Sequence, residues 1–333
     1  MNPTDIRRAT SGIAPFYRRP FRVVLLAVLS VIVGVLASMP SGAALSTAPA
    51  YSGDFADPSM LVANGRYYSY ATGFGSNLQA ISSSDLVTWG AVRDPLPKLP
   101  SWGEPGLTWA PAVAQFGSTY VMYYTVRSRS LRMQCISVAT AATPDGPFID
   151  SSRTPLTCQK KLGGSIDPQP FVSPNGTPYL VWKSDNNAVG QPTSLWSQRL
   201  SADGRSVVGS PTNLLTATAS WQRGVIEGPS MWSNNGAYYH FYGANGWNSA
   251  DAAIGYATCS GPLGPCINQS VTAAWMTSHG AGIGPSGPTI FTDATGSTRI
   301  AYHAWTEGVG YGNGVRSLWI DTVSFATGKP VLN

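Results

Sequence analysis

A single short motif recurs five times along this chain, and its period leaves few folds open. The copies are Phe55-Ala56-Asp57-Pro58, Thr108-Trp109-Ala110-Pro111, Ser165-Ile166-Asp167-Pro168, Ile226-Glu227-Gly228-Pro229 and Pro285-Ser286-Gly287-Pro288. Their shared prolines lie 53, 57, 61 and 59 residues apart. A short apolar run follows each motif, then a turn such as Asn64-Gly65, Asn175-Gly176 or Asn235-Gly236, then an aromatic-rich run such as Tyr120–Tyr124 or Tyr238–Tyr242. Asn-Gly between two β-prone segments is a strong hairpin signal. A third run, for example Ser194–Ser197, completes most of each unit. Units of this length and strand content are propeller blades, each burying its faces against its neighbours. The chain is therefore expected to be all-β, a five-bladed β-propeller over residues 45–333. A β-sandwich of short strands does not predict one motif repeated at this spacing. Equivalent motifs would lie at one end of the ring, close to its axis.

The charge distribution removes one class of function. The whole chain has 21 Lys and Arg against 16 Asp and Glu. Residues 1–44 hold Arg7, Arg8, Arg18, Arg19 and Arg22 with only Asp5, so the rest is nearly neutral. No basic patch remains for nucleic acid, and none is expected as a partner. The same 44 residues read as a signal peptide: a basic start, an apolar run from Val23 to Leu36, then the small residues Ser41–Ala44. An uncleaved signal anchor is the alternative, and either one places the bulk of the chain in a secreted, extracellular setting. Four cysteines agree with export. The pairing Cys135–Cys158 and Cys259–Cys266 is expected because each closes a local loop. With no Cys-x-x-Cys and only three histidines, none near these cysteines in sequence, they are read as structural.

Three of the five motifs carry an acid: Asp57, Asp167 and Glu227. The other copies have Ala110 and Gly287, so the backbone does not itself demand a carboxylate there. Singly, each Asp-Pro reads as a turn. Three acids on equivalent blade starts read as a shared site. Paired carboxyls are the apparatus of glycoside cleavage, one protonating the leaving oxygen and one activating water across a gap of about 6.5–9.5 Å in inverting enzymes. A third acid close by would keep the proton donor protonated.

At these residues the chain resembles glycoside hydrolase family 43, five-bladed propellers that mostly degrade arabinan and xylan with inversion. The likeness spans residues 51–326. It rests on the three acid motifs, on Trp109-Ala110-Pro111, on Tyr302-His303-Ala304-Trp305 and on Asp85–Trp89 in the first unit. The resemblance implies Asp57 as general base, Glu227 as general acid and Asp167 as the pKa modulator. It also implies that His303 faces a central channel holding a water-bound cation, frequently calcium, with no cofactor required for the chemistry. In isolation His303 reads as a packed strand residue. Trp109 and Trp247 are candidate stacking surfaces for sugar, Ser165 a candidate hydrogen-bonding group, and Arg316 either a sugar contact or a rim ion pair. Arg93-Asp94-Pro95 matches a tripeptide of fructan-cleaving propellers but lies at an outer edge, so Asp94 is read as a loop residue.

These features together point to a secreted monomer that hydrolyses arabinofuranosyl linkages in a polysaccharide or oligosaccharide, as arabinofuranosidase or arabinanase. A β-xylosidase of the same family is the alternative, and beyond it a carbohydrate-binding propeller without activity. Such a lectin would need the aromatics but not the three acids.

Overall fold

The computed structural model describes Phe16 and residues 45–333; the expected leader lies outside these apart from Phe16. Five antiparallel sheets follow one another along the chain, one per repeat. Their innermost strands are Ser59–Ala63, Gly103–Phe116, Ser165–Val172, Ile226–Asn234 and Ile283–Thr292. Each pairs with an aromatic-rich second strand through the expected hairpin, as in Ala63↔Arg66 and Asn234↔Ala237. Blades three, four and five have four strands, while blades one and two complete their outer edges with isolated bridges such as Ala80↔Arg93 and Ile136↔Thr157. The chain is a five-bladed β-propeller.

The aromatic load is spent between blades. Tyr68, Tyr70 and Leu78 of blade one pack with Met122 and Tyr124 of blade two. Tyr123 and Val121 of blade two meet Leu180 and Trp182 of blade three. Phe241 and Tyr256 of blade four pack with Ile300 and Tyr302 of blade five. Phe291, Ala301 and Leu318 of blade five return to Phe55, Met60 and Tyr67 of blade one, which closes the ring. The segment before the first blade seals that seam by hydrogen bonds: Ala50 N–H donates to Leu318 O at 2.8 Å, Leu318 N–H to Tyr51 O at 3.0 Å and Phe55 N–H to Arg316 O at 2.7 Å.

The recurring proline motif marks a break in the inner strands of blades two to five and lies just before that of blade one. Pairing slips between Trp109 and Ala112, Ile166 and Gln169, Glu227 and Ser230, and Ser286 and Thr289. The residue before the proline takes a left-handed backbone in all five copies: Asp57 (φ 54°), Ala110 (44°), Asp167 (54°), Gly228 (54°) and Gly287 (61°). A non-glycine residue there is strained, and such strain persists only where surrounding structure holds it. These bulges converge on the axis. A Cβ added to Gly228 would lie 3.0 Å from Gly287 Cα, and one on Gly287 would lie 3.2 Å from Asp57 Cα. Blade four therefore has no room for an aspartate at its bulge position. Its acid, Glu227, stands one residue earlier, on extended strand paired with Gly243.

Both expected disulfides, Cys135–Cys158 and Cys259–Cys266, are present. His240, remote from them in sequence, has its ring within 4.8 Å of both Cys259 and Cys266 sulfurs. Those sulfurs are committed to each other, so they offer no thiolate to a metal.

Candidate active site

One cavity of about 460 Å³ opens at the end of the ring where the bulges lie, a usual size for a small-ligand site. Asp57, Asp167 and Glu227 all line it, with Trp109, Trp247, Arg316, Lys183, Asp185, Tyr311 and Phe74. The three acids that the sequence places at blade starts thus meet in one space.

Their surroundings push them apart electrostatically. Burial alone would raise the Asp57 carboxyl, but the Arg316 guanidinium leads the groups that overcome it and hold Asp57 below the usual carboxylate range. The Arg316 Nη1 lies 4.0 Å from Asp57 Oδ1, and the Thr72 hydroxyl donates to Oδ2 at 2.5 Å. Asp167 goes the other way. Burial first, then the charge of Glu227, pushes it up to about 7. Its backbone is fixed by N–H donation to Thr125 Oγ1 at 3.1 Å, and its Oδ2 accepts from Gly228 N–H at 2.9 Å. Asp57 is thus ionised at a pH where Asp167 still holds its proton. A base and an acid separated in this way are the working parts of acid–base hydrolysis.

Arg316 is held by aromatic rings on three sides. Its guanidinium lies 4.8 Å from the centre of Trp247, 5.6 Å from Tyr311 and 5.9 Å from Trp305. Its Nη2 donates to the Tyr311 hydroxyl at 2.8 Å. Behind it Asp54 Oδ2 accepts from Arg316 N–H at 3.2 Å. Arg316 thus both lines the cavity and stands beside the Asp57 carboxylate. Trp247 (42% exposed) and Tyr311 (49% exposed) present their faces to the cavity, Phe74 stacking on Tyr311 at 6.1 Å. Trp109 stands opposite on blade two.

Ser165, a candidate sugar contact, and His303, expected at the channel, are both buried. Ser165 is fully buried, its hydroxyl donating to Gln159 Oε1 at 3.2 Å and accepting from Gln159 N–H at 3.0 Å, so it anchors the start of blade three. His303 is 1% exposed and lies behind Gly287, where its Nδ1 accepts the Asp57 N–H at 2.9 Å. Burial lowers His303 to about 4, so the ring is neutral and its 3.4 Å approach to Asp57 Oδ1 is no ion pair. With Nδ1 accepting, the neutral ring carries its hydrogen on Nε2, which has no partner among the described residues. A cation needs a lone pair there, and a cation-bound water needs an acceptor for its hydrogens. The N–H offers neither. The axial channel itself holds only about 30 Å³, and Gln169 spans it by donating to Thr289 Oγ1 at 3.0 Å. His303 thus offers no ligand to a cation, while Gln169 Oε1 and Ser59 Oγ of residues lining the channel are buried oxygens without a partner among the described residues. His303 supports the strained backbone of Asp57. Asp94 is a loop residue as expected, its carboxylate accepting from Asn77 N–H and Leu96 N–H, each at 2.9 Å.

Lys183, Asp185, Tyr311 and Phe74 are site residues that the motif did not reveal. Lys183 alone left a trace, as a charged residue ending the otherwise apolar run Tyr179-Leu180-Val181-Trp182.

The sequence profile of glycosyl hydrolases family 43 matches residues 46–330. The chain belongs to glycoside hydrolase family 43. It is 26% identical over 277 residues to the β-D-galactofuranosidase xynD of Aspergillus niger, covering 77% of this chain and 75% of that protein. Identity to the probable arabinan endo-1,5-α-L-arabinosidase A of Aspergillus flavus is 25% over 295 residues, covering 82% and 89%. Among solved structures, a thermostable family-43 glycoside hydrolase superposes with TM-score 0.75 at 25% identity, over 88% of this chain and 95% of that one. An endo-1,4-β-xylanase from Bacteroides thetaiotaomicron gives 0.72 at 28% identity, over 86% and 97%. The family reaction is hydrolysis of O-glycosyl bonds with inversion, and its chemistry requires no cofactor.

Proposed function

We propose that this family-43 enzyme hydrolyses arabinofuranosyl linkages in a cell-wall polysaccharide or its oligosaccharides. The meeting of Asp57, Asp167 and Glu227 in one aromatic-walled cavity carries the reading. Asp57 takes a proton from water as the water oxygen bonds to the anomeric carbon. Glu227 gives its proton to the departing oxygen as the glycosidic bond breaks. Asp167, itself protonated up to about pH 7, stands beside Glu227 as the pKa modulator. The furanose preference draws on the relatives, two of which are named for galactofuranosyl and arabinosyl substrates. We further propose that the chain works as a monomer outside the cytoplasm, for which the leader sequence and the two disulfides are the support.

Product analysis on linear arabinan, arabinoxylan and a xylo-oligosaccharide tests the assignment. Arabinose alone, or a ladder of arabino-oligosaccharides, is expected; xylose as the sole product overturns the substrate. Asp57→Ala and Glu227→Ala should each lower turnover by about 10²–10⁴-fold with an unchanged melting profile. Near-normal turnover in either variant removes that residue from its role.

A further inference from the structure

Lys183 is the one fully buried cation in the cavity wall whose place the reaction scheme above does not explain. It lies near the end of the second strand of blade three, Pro178–Ser184, directly across from Ile166 and so beside Asp167. Its side chain is 2% exposed. The Nζ donates to Glu227 Oε2 at 3.1 Å and lies 3.5 Å from Asp185 Oδ1. The facing charges are Glu227 from blade four, Asp167 from blade three and Asp185 from the following turn, with Asp57 farther across the cavity. Burial would strip the ammonium of its proton, yet Glu227, Asp167 and Asp185 together hold it protonated. Removing an ammonium from water is costly, and packing alone would be served as well by methionine. The lysine is therefore placed for its charge and its hydrogen bond.

We infer that Lys183 is a positioning residue for Glu227: by holding Oε2 it leaves Oε1 free to face the leaving oxygen, and it takes up the negative charge that Glu227 acquires on giving up its proton. This rests on Glu227 being the acid of the proposed reaction. In that step the proton passes from Glu227 to the leaving oxygen, the bond from that oxygen to the anomeric carbon breaks, and the water proton goes to Asp57. The lysine stays protonated throughout. Its benefit is greatest where the leaving group most needs a proton. As a cation it favours the ionised form of the carboxyls it faces.

The test compares Lys183→Met and Lys183→Arg with the wild type on two arabinosides: an arabino-oligosaccharide, whose leaving alcohol needs protonation, and p-nitrophenyl α-L-arabinofuranoside, whose leaving group needs little. Lys183→Met should lose about 10²-fold in kcat/KM on the oligosaccharide, the scale for one donor aimed at developing charge. The loss on the aryl substrate should stay within about threefold, and Lys183→Arg should recover part of the oligosaccharide activity. The basic limb of the pH profile should move up by about one pH unit or more in Lys183→Met, because a cation that favours the ionised carboxyls is gone. Equal losses on both substrates with an unmoved limb mean a merely structural role and overturn the inference. An infrared titration of the carboxyl stretch in the resting proteins separates this from the choice of substrate. Carboxyl protonation should persist to higher pH in Lys183→Met even if the wild type cleaves neither arabinoside. An unmoved titration refutes the lysine's role, whereas inactivity on both arabinosides with a shifted titration refutes only the sugar.

Discussion

Asp167→Asn should make this protein more stable at alkaline pH while reducing its activity, and the size of the gain follows from where the carboxyl sits. Asp167 is pushed up to about 7 from its ordinary 3.8, by burial and then by Glu227. A carboxyl whose folded value is raised stabilises the fold below the unfolded value, and that contribution is lost as pH rises through the folded value. Below about pH 4 wild type and variant should therefore melt alike. Between pH 4 and 7 the wild type falls behind, and above pH 7 the gap is constant. At roughly 1.4 kcal/mol per pH unit the full interval is worth about 4 kcal/mol. Water in the cavity reaches part of this residue, so about 2 kcal/mol is the expected gap. Asparagine suits the site otherwise: it tolerates the left-handed backbone at φ 54°, and its amide oxygen can accept the Gly228 N–H. Lys183 keeps Glu227 and Asp185 as partners. Thermal melts from pH 4 to 9 read the difference, expected as a rise of about 3 °C above pH 7. A gap that is flat across pH, or a wild type more stable than the variant at pH 9, refutes the reasoning.

Three more perturbations reach other parts of the argument. Arg316→Met removes the cation that holds Asp57 down, so the acid limb of kcat/KM should shift to higher pH; a pH–rate profile with an unmoved limb contradicts that pairing. Gly228→Ala puts a Cβ 3.0 Å from Gly287 Cα at a left-handed φ, and should cost about 1–3 kcal/mol in denaturant unfolding, against no loss if the bulges do not meet at the axis. Replacing Cys135 and Cys158 together by Ser opens a 23-residue separation and should cost about 3 kcal/mol with catalysis unchanged at 25 °C, measured by the melting midpoint and the initial rate.

The architecture was legible because a blade writes its own period: the prolines, the hairpin turns and the aromatic second strands recur whatever the loops do. The acids were legible for the same reason, but not their geometry. The motifs themselves show Glu227 one residue earlier than Asp57 and Asp167, and the structure supplies the reason: the bulge position of blade four packs against Gly287 of the neighbouring blade five. Contacts between blades leave no local mark in sequence. Tyr311, Phe74 and Trp247 come to one wall from loops of blades five, one and four, and no spacing announces that. Ser165 and His303 show a related limit. Both stand in the motifs of the site, yet their side chains are turned to Gln159 and to the backbone of Asp57. Lys183 was visible only as a charge out of place, since its partners lie on two other segments.

The seam between the first and last blades has a bearing on how this enzyme fails. Phe55 N–H bonds to Arg316 O, Arg316 N–H to Asp54 and Asp57 N–H to His303, so the general base hangs on the very joint where the two ends of the ring are latched. Mild heat or denaturant that unzips residues 50–57 from blade five would carry Asp57 away from Arg316 while the other four blades remain folded. Loss of turnover would then run ahead of loss of ellipticity, and activity becomes the more sensitive gauge of whether the latch is shut.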